Sequence, residues 1–150
     1  MGVEFTIIQE KGYYLSKFIG KVTDKELLES YKNFFMDGGW IPGLNELADL
    51  SDLDSTELTS QGLEKLSDFI ENKCKSFNVR PKSAVFAPRD LEFGLARMYE
   101  ARANIFEDNR VFRDKQEAIN WLSKYYLVFF LSIVLSIFFN FLSLTQGIFS

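Results

Sequence analysis

The sequence predicts an α/β fold with a mixed, mostly parallel sheet of about five strands in the order ββαβαβαβα, followed by a hydrophobic C-terminal helix. Three observations predict it. Short apolar or alternating runs are separated by stretches with helical spacing. The first two runs are joined by "EKG" (10–12) with no helix between them, which implies a hairpin at one edge. Finally, "YYLVFFLSIVLSIFFNFLSL" (125–144) carries no charge, proline or glycine, although 17 basic and 21 acidic side chains are packed into the residues before it. The chain therefore divides into a domain over 1–124 and a hydrophobic tail over 125–150.

Each element follows from local chemistry. Val3, Phe5 and Ile7 alternate with more polar positions, as in a half-buried strand, and "YYLSKFIG" (13–20) supplies its hairpin partner. Thr23 and Glu26 form a capping box that satisfies free amides at a helix start, and Leu27, Leu28, Tyr31, Phe34 and Phe35 follow at helical spacing. "DGGWIPG" (37–43) stops that helix. "LNELADL" (44–50) reads as a strand, "DLSDLDSTE" (49–57) as an acidic turn, and 59–73 as a helix with Leu63, Leu66, Phe69 and Ile70 inward. After Pro81, "KSAVFA" (82–87) reads as a buried strand. Pro88 is placed in the first turn of the next helix, whose inner face is read as Leu91, Leu95 and Met98. Gly94 inside that helix costs about 1 kcal/mol against alanine, which close packing on a neighbour would offset. "NRVF" (109–112) is the last strand, and Asp114 with Glu117 caps a final helix carrying Ala118, Ile119 and Leu122.

Composition excludes several chemistries. The 150 residues include no histidine, which removes Ser-His-Asp and Cys-His catalysis and histidine metal sites. A single cysteine, Cys74, allows no internal disulfide. The net charge of −4 argues against nucleic acid as a partner. The N-terminus carries no secretory signal pattern; Gly2 and Thr6 fit a loose myristoylation pattern, against the plainer reading of a glycine before a strand.

"DLEFGLARMYE" (90–100) followed by "VFRDKQEAINWL" (111–122), together with the loop, strand and acidic stretch of "IPGLNELADLSDL" (41–53), resembles SpoIIAA-like STAS domains over about residues 3–122. These are relatives of anti-sigma-factor antagonists and of the cytoplasmic domains of sulfate transporters. The resemblance implies a small α/β STAS-like (STAS/SEC14-like) sandwich without catalytic activity. Its outline is similar to lipid-binding lobes of the CRAL-TRIO type, which implies a membrane or an apolar ligand. The tail is an addition to the family pattern.

Several residues carry a functional reading beside a structural one. By the resemblance, Ser60 in "TSQGL" (59–63) stands where antagonists carry a phosphorylated serine, although Thr59 replaces their aspartate; Thr59 or Ser60 as a plain helix cap explains the same residues. The carboxylates of 49–57 lack an EF-hand pattern and have no nucleophile beside them, so neither a metal nor a catalytic site is assigned. Lys73 and Lys75 flank Cys74 and would lower its pKa and make it reactive, against the plainer reading of an incidental thiol at a helix end. Phe34, Phe35, Met36, Trp40 and Ile41 surround a double glycine and either complete the core or form a gate or loop that touches an apolar ligand or lipid. No cofactor is expected.

The tail decides the setting. Twenty helical residues span about 30 Å, the thickness of a bilayer's hydrocarbon core. Ser132, Ser136, Asn140 and Ser143 form one polar stripe, Tyr125 and Tyr126 stand at the entrance, and Arg110, Arg113, Lys115 and Lys124 precede the segment. This predicts a tail-anchored, non-enzymatic regulatory or binding module on the cytoplasmic side of a membrane, with an apolar or lipid ligand or a protein partner. The alternatives are a soluble phospho-regulated switch, an enzyme using 49–57, a tail folded back on the domain, or a tail that extends the reading frame.

Overall fold

The computed structural model describes residues 2–148, with the side chains of 125–129 outside that description. Strand β1 (Gly2–Ile8) pairs antiparallel with β2 (Tyr13–Lys21). A 3₁₀ turn over Gln9–Lys11 joins them and closes on Gly12, whose φ of 73° is one that glycine adopts without steric cost. Helix α1 (Asp24–Met36), β3 (Asn45–Asp54), α2 (Ser60–Phe77), β4 (Lys82–Phe86), α3 (Asp90–Ala103), β5 (Asp108–Phe112) and α4 (Lys115–Ile148) follow. The sheet order is β1-β2-β3-β4-β5, and β2 to β5 are all parallel.

Because alternate side chains leave opposite faces of a strand, this sheet has two cores. On one face, Tyr14, Ala48, Leu50, Val85 and Val111 meet α1, α2 and α3. On the other, Tyr13, Leu47 and Ala84 meet Ala118 and Leu122 of α4. Three crossover helices thus share one side, and the fourth covers the back.

The expected caps form. Thr23 Oγ1 accepts from the Glu26 amide (3.1 Å), and the Glu26 carboxylate accepts from the Thr23 amide (2.9 Å). Asp114 Oδ1 accepts from the Glu117 amide at 2.9 Å.

Four expectations need correction. The acidic run is not a turn: β3 continues to Asp54, and only Ser55–Glu57 form a 3₁₀ turn. Its carboxylates are dispersed. Asp49 is buried against Lys115 (2.8 Å), Asp52 pairs with Lys17 (3.1 Å), and Asp54 accepts from the Thr56 amide and hydroxyl. Helix α2 runs a turn further than 73, to Phe77, where Asn78 ends it in a left-handed conformation. Pro88 precedes α3, whose N-cap is Arg89. The inner face of α3 is also different. Leu91 and Met98 are more than half exposed, while Glu92, Ala96, Glu100 and Ala103 are buried. The small alanines bring the helix close to the sheet. The two carboxylates are tolerated because Glu92 accepts from Ser55 Oγ (2.8 Å) and Arg89, and Glu100 from Arg97. Gly94 then faces outward, and a methyl group there would meet nothing within 4 Å.

Two stability predictions follow from this packing. Leu122 is 2% exposed between Tyr13, Leu47, Ala84 and Ala118; Leu122→Ala should cost about 2–5 kcal/mol in urea unfolding, and a loss below about 1 kcal/mol would mean that α4 does not pack there. Gly94→Ala should instead stabilise the domain by about 0.5–1 kcal/mol, because the open site accepts the methyl group and the helix gains propensity.

Candidate functional site

Buried polar chemistry concentrates between the sheet and the three-helix layer. Glu46 on β3 faces that layer in register with Ser83 on β4. Its carboxylate accepts from Ser16 Oγ of β2 (2.6 Å), Tyr31 Oη of α1 (2.6 Å) and Ser83 Oγ (3.1 Å). Four elements therefore converge on one carboxyl group. Burial pushes its pKa up, and the three hydroxyls partly oppose that shift.

Above Glu46 lies a cavity of about 50 Å³. Apart from Glu46, Tyr31, Ser83 and Tyr99 its lining is apolar, including Phe18, Leu53, Leu58, Leu63, Leu66 and Leu95. It extends along the sheet from Glu46 and Ser83, each the second residue of its strand, to Leu53 and the start of α2. Its size limits the occupant. A cavity of about 150 Å³ is needed for a benzene ring, so this one as it stands takes a water or a methyl-sized group, and an acyl chain requires α2 and α3 to separate.

A second buried carboxyl, Glu107, lies just before β5. Burial, reinforced by the charge of Glu46, raises its pKa to about 8, against the opposing effects of the hydrogen bond from Asn109 Nδ2 (2.8 Å) and the charge of Arg80. Tyr14 and Tyr99 are likewise held well above the ordinary phenol value by burial and by these carboxylates. Sequence reading missed this cluster. Glu46 and Glu107 sit in ordinary-looking polar stretches, and only the alternation of β3, which places Glu46 with Ala48 and Leu50, hinted at an inward carboxylate.

The sequence-derived candidates lie elsewhere. Phe34 and Phe35 are buried in the aromatic part of the core, where Phe34 stacks on Phe5 at 4.2 Å. Trp40 stacks on Phe35 at 4.3 Å and meets Phe77 edge-on at 5.5 Å. Met36 and Ile41 are exposed, at 68% and 42%. None of these five lines the cavity. They occupy the C-terminal end of α1 and the loop after it, next to the cavity-lining Tyr31 but outside the lining. Ser60 is the exposed first residue of α2, with Thr59 as the N-cap donor-acceptor. The Asp24 carboxylate already receives the Thr59 amide (2.9 Å) and hydroxyl (2.6 Å), and it lies so close that a methyl group on Gly62 would meet it at 2.0 Å. A phosphate on Ser60 would enter a helix terminus already held by an anion. Cys74 is 3% exposed, and burial raises its pKa to about 11, so its flanking lysines do not activate it. Among the described residues no cluster of three metal-ligating side chains occurs.

With this geometry in view, comparison with known proteins places the fold. No family model matches the sequence, and no curated protein does. One solved structure is similar: the crystal structure of an uncharacterized protein from the DUF3478 family with a SpoIIAA-like fold, from Shewanella loihica PV-4. It aligns with a TM-score of 0.51 at 18% sequence identity, over 81% of this chain and 92% of that one. The chain has a SpoIIAA-like fold. At this identity the likeness concerns the SpoIIAA-like architecture alone, a STAS-type α/β module; the apolar C-terminal helix is described in this chain.

Glu107 gives the site a signature in pH. Its folded pKa of about 8 lies above the ordinary 4.5, so the folded state holds the proton more tightly than the unfolded chain. Stability is therefore full below about pH 4.5 and falls as the pH rises toward 8. Glu107→Gln, which keeps an acceptor for Asn109, should raise the urea midpoint at pH 8 and have progressively less effect toward pH 5. An equal effect at both pH values would show that Glu107 does not titrate in this window.

Proposed function

We propose that this protein is a non-enzymatic STAS-type binding or regulatory module, tail-anchored at the inner face of a membrane, that engages an apolar or lipid ligand or a protein partner. One observation carries the reading. Within α4, Phe130–Ile148 form a 19-residue apolar helix of which none is buried. A soluble helix would present a charged face to water; here Phe130, Phe138, Phe139, Phe141 and Leu144 are each more than half exposed. Leaving that surface in water is unfavourable by about 25 cal/mol per Å². Nineteen residues span about 28 Å, close to the hydrocarbon thickness of about 30 Å. Tyr125 and Tyr126, the expected interface aromatics, lie outside the described side chains.

The cytoplasmic placement rests on basic residues before the segment, with Lys124 nearest to it. The ligand half of the proposal rests on the apolar cavity and on the buried Glu46 carboxyl in its lining, whose pKa burial raises against the opposing hydroxyls. The carboxyl cluster is read as a binding and structural feature, because its hydroxyl neighbours Ser16, Tyr31 and Ser83 are buried and all engaged with Glu46.

An alkaline carbonate wash of membranes tests the anchor. The full chain should stay in the pellet. Leu135→Lys places an ammonium near the middle of the segment and should disfavour insertion by about 2.5–3.5 kcal/mol, moving protein into the supernatant. If the native full chain washes off as a soluble monomer, the anchoring proposal is wrong.

A further inference from the structure

We infer that the face formed by the loops preceding the parallel strands lies against the interfacial layer of the bilayer that holds α4, with Met36, Ile41, Phe77 and Ile105 reaching the lipid. This rests on the anchoring proposed above and adds an orientation and a contact surface to it.

The direction of α4 carries the argument. Strands β2 to β5 are parallel, and Tyr13 pairs with Asn45 and Lys82 with Asp108 at one edge. Helix α4 follows β5 and returns antiparallel across the back of the sheet. It starts beside Asp49 through Lys115, and by Leu122 it packs on Tyr13, the first residue of β2, while the Trp121 ring lies between Lys82 Nζ (4.7 Å) and Phe112 (5.7 Å). Lys124 adds to the positive charge acting on Lys82. The apolar segment therefore leaves the domain from the edge at which the parallel strands begin. From Leu122 to Phe130 is about 12 Å of helix, and about 5 Å to Tyr125, where the uncharged run begins. The headgroup layer on each side of the hydrocarbon core is about 5–8 Å deep. The edge of the domain thus comes within reach of the interfacial layer.

That edge is the apolar one. Met36 ends α1, Phe77 ends α2, and Ile105 follows α3 at 72% exposure. The surface is continuous: Trp40 contacts Phe77, a methyl group on Gly43 would reach Val79 at 3.8 Å, and Val79, Arg80 and Ile105 line one shallow hollow. Half-buried Trp40 sits at its centre, a residue favoured at membrane interfaces. Lys75 and Arg80 line the same hollow, with Lys75 also paired to Glu71 at 2.7 Å, and cations there suit anionic headgroups. The opposite edge presents mainly Thr23, Thr56, Glu57, Thr59 and Ser60, with half-buried Asp24 and a single large exposed apolar side chain, Leu91.

The test uses full-length protein inserted into phosphatidylcholine–phosphatidylglycerol vesicles. Ile41→Cys, and separately Glu57→Cys at the far edge, are labelled with an environment-sensitive nitrobenzoxadiazole dye; buried Cys74 stays unlabelled in the folded protein. The label at 41 should shift to the blue on insertion and be quenched by lipid spin-labelled near the headgroup, and the label at 57 should do neither. Trp40 emission in a Trp121→Phe variant should be quenched by the same lipid, a readout that needs no label. If the protein survives a carbonate wash of the vesicles while position 41 and Trp40 remain unquenched, the orientation is wrong and the anchor stands. If both edges are quenched alike, the orientation is also wrong. If the protein does not survive the wash, the anchor fails and this inference fails with it.

Discussion

The ion pair between Asp49 and Lys115 fixes the back of the molecule. Asp49 is 2% exposed in the middle strand of the sheet, and Lys115 is the first residue of α4. Burial alone would raise the pKa of Asp49, but the Lys115 ammonium at 2.8 Å and the Ser51 hydroxyl outweigh it and hold the carboxyl below its ordinary range. A buried charge left without its partner costs about 3–5 kcal/mol, so the start of α4 has one favourable place on the sheet. Everything downstream inherits that position. Ala118 and Leu122 fall on Ala84 and Leu47, Trp121 falls beside Lys82, and the apolar segment leaves from the edge where the strands begin.

The same strand explains how far the sequence could be read. The hairpin, the capping box at Thr23, the helix–strand alternation and the tail were legible because each depends on local chemistry. Asp49 was not. A run of acidic and small polar residues has the composition of a turn, and only pairing on both sides turns it into a strand whose carboxylates alternate in direction. Helix α3 was misread for a related reason. Leu91 and Met98 have the right spacing for an inner face, yet Ala96 and Ala103 permit closer approach, and tertiary partners for Glu92 and Glu100 remove the penalty that would have kept them outside. Gly94 looked like a close-packing glycine on the same mistaken face. In each case a contact from a distant element decided the outcome.

The candidate site was less legible still. Aromatic residues around a double glycine drew attention to 34–43, and the structure divides that stretch between core, in Phe34 and Phe35, and surface, in Met36 and Ile41. The buried carboxyls Glu46 and Glu107 gave almost no signal, since their neighbours in space come from β2, α1, β4 and β5. Their proximity has an energetic meaning. Two carboxyl groups that share a dry interior cannot both ionise without cost, so the cluster favours at least one proton, and a neutral acid can donate a hydrogen bond where a carboxylate can only accept.

The two ends of the domain are set apart along the sheet, and the size of the cavity restricts the ligand. The cavity runs along the sheet from Glu46 and Ser83, each second in its strand, to Leu53, Leu58 and Leu63 at the carboxyl ends, while the apolar face and the tail share the edge where the strands begin. A strand of ten residues such as β3 is about 33 Å long. On the orientation inferred above, Leu58 and Leu63 at the far end of the cavity lie about that far from the anchoring bilayer and its lipid. The cavity, at about 50 Å³, is also too small for its chain without parting α2 from α3. On the proposed reading the two edges differ in chemistry: Trp40, Phe77 and Ile105 make the edge beside the tail apolar, and Asp24, Glu57 and the start of α2 make the other edge polar.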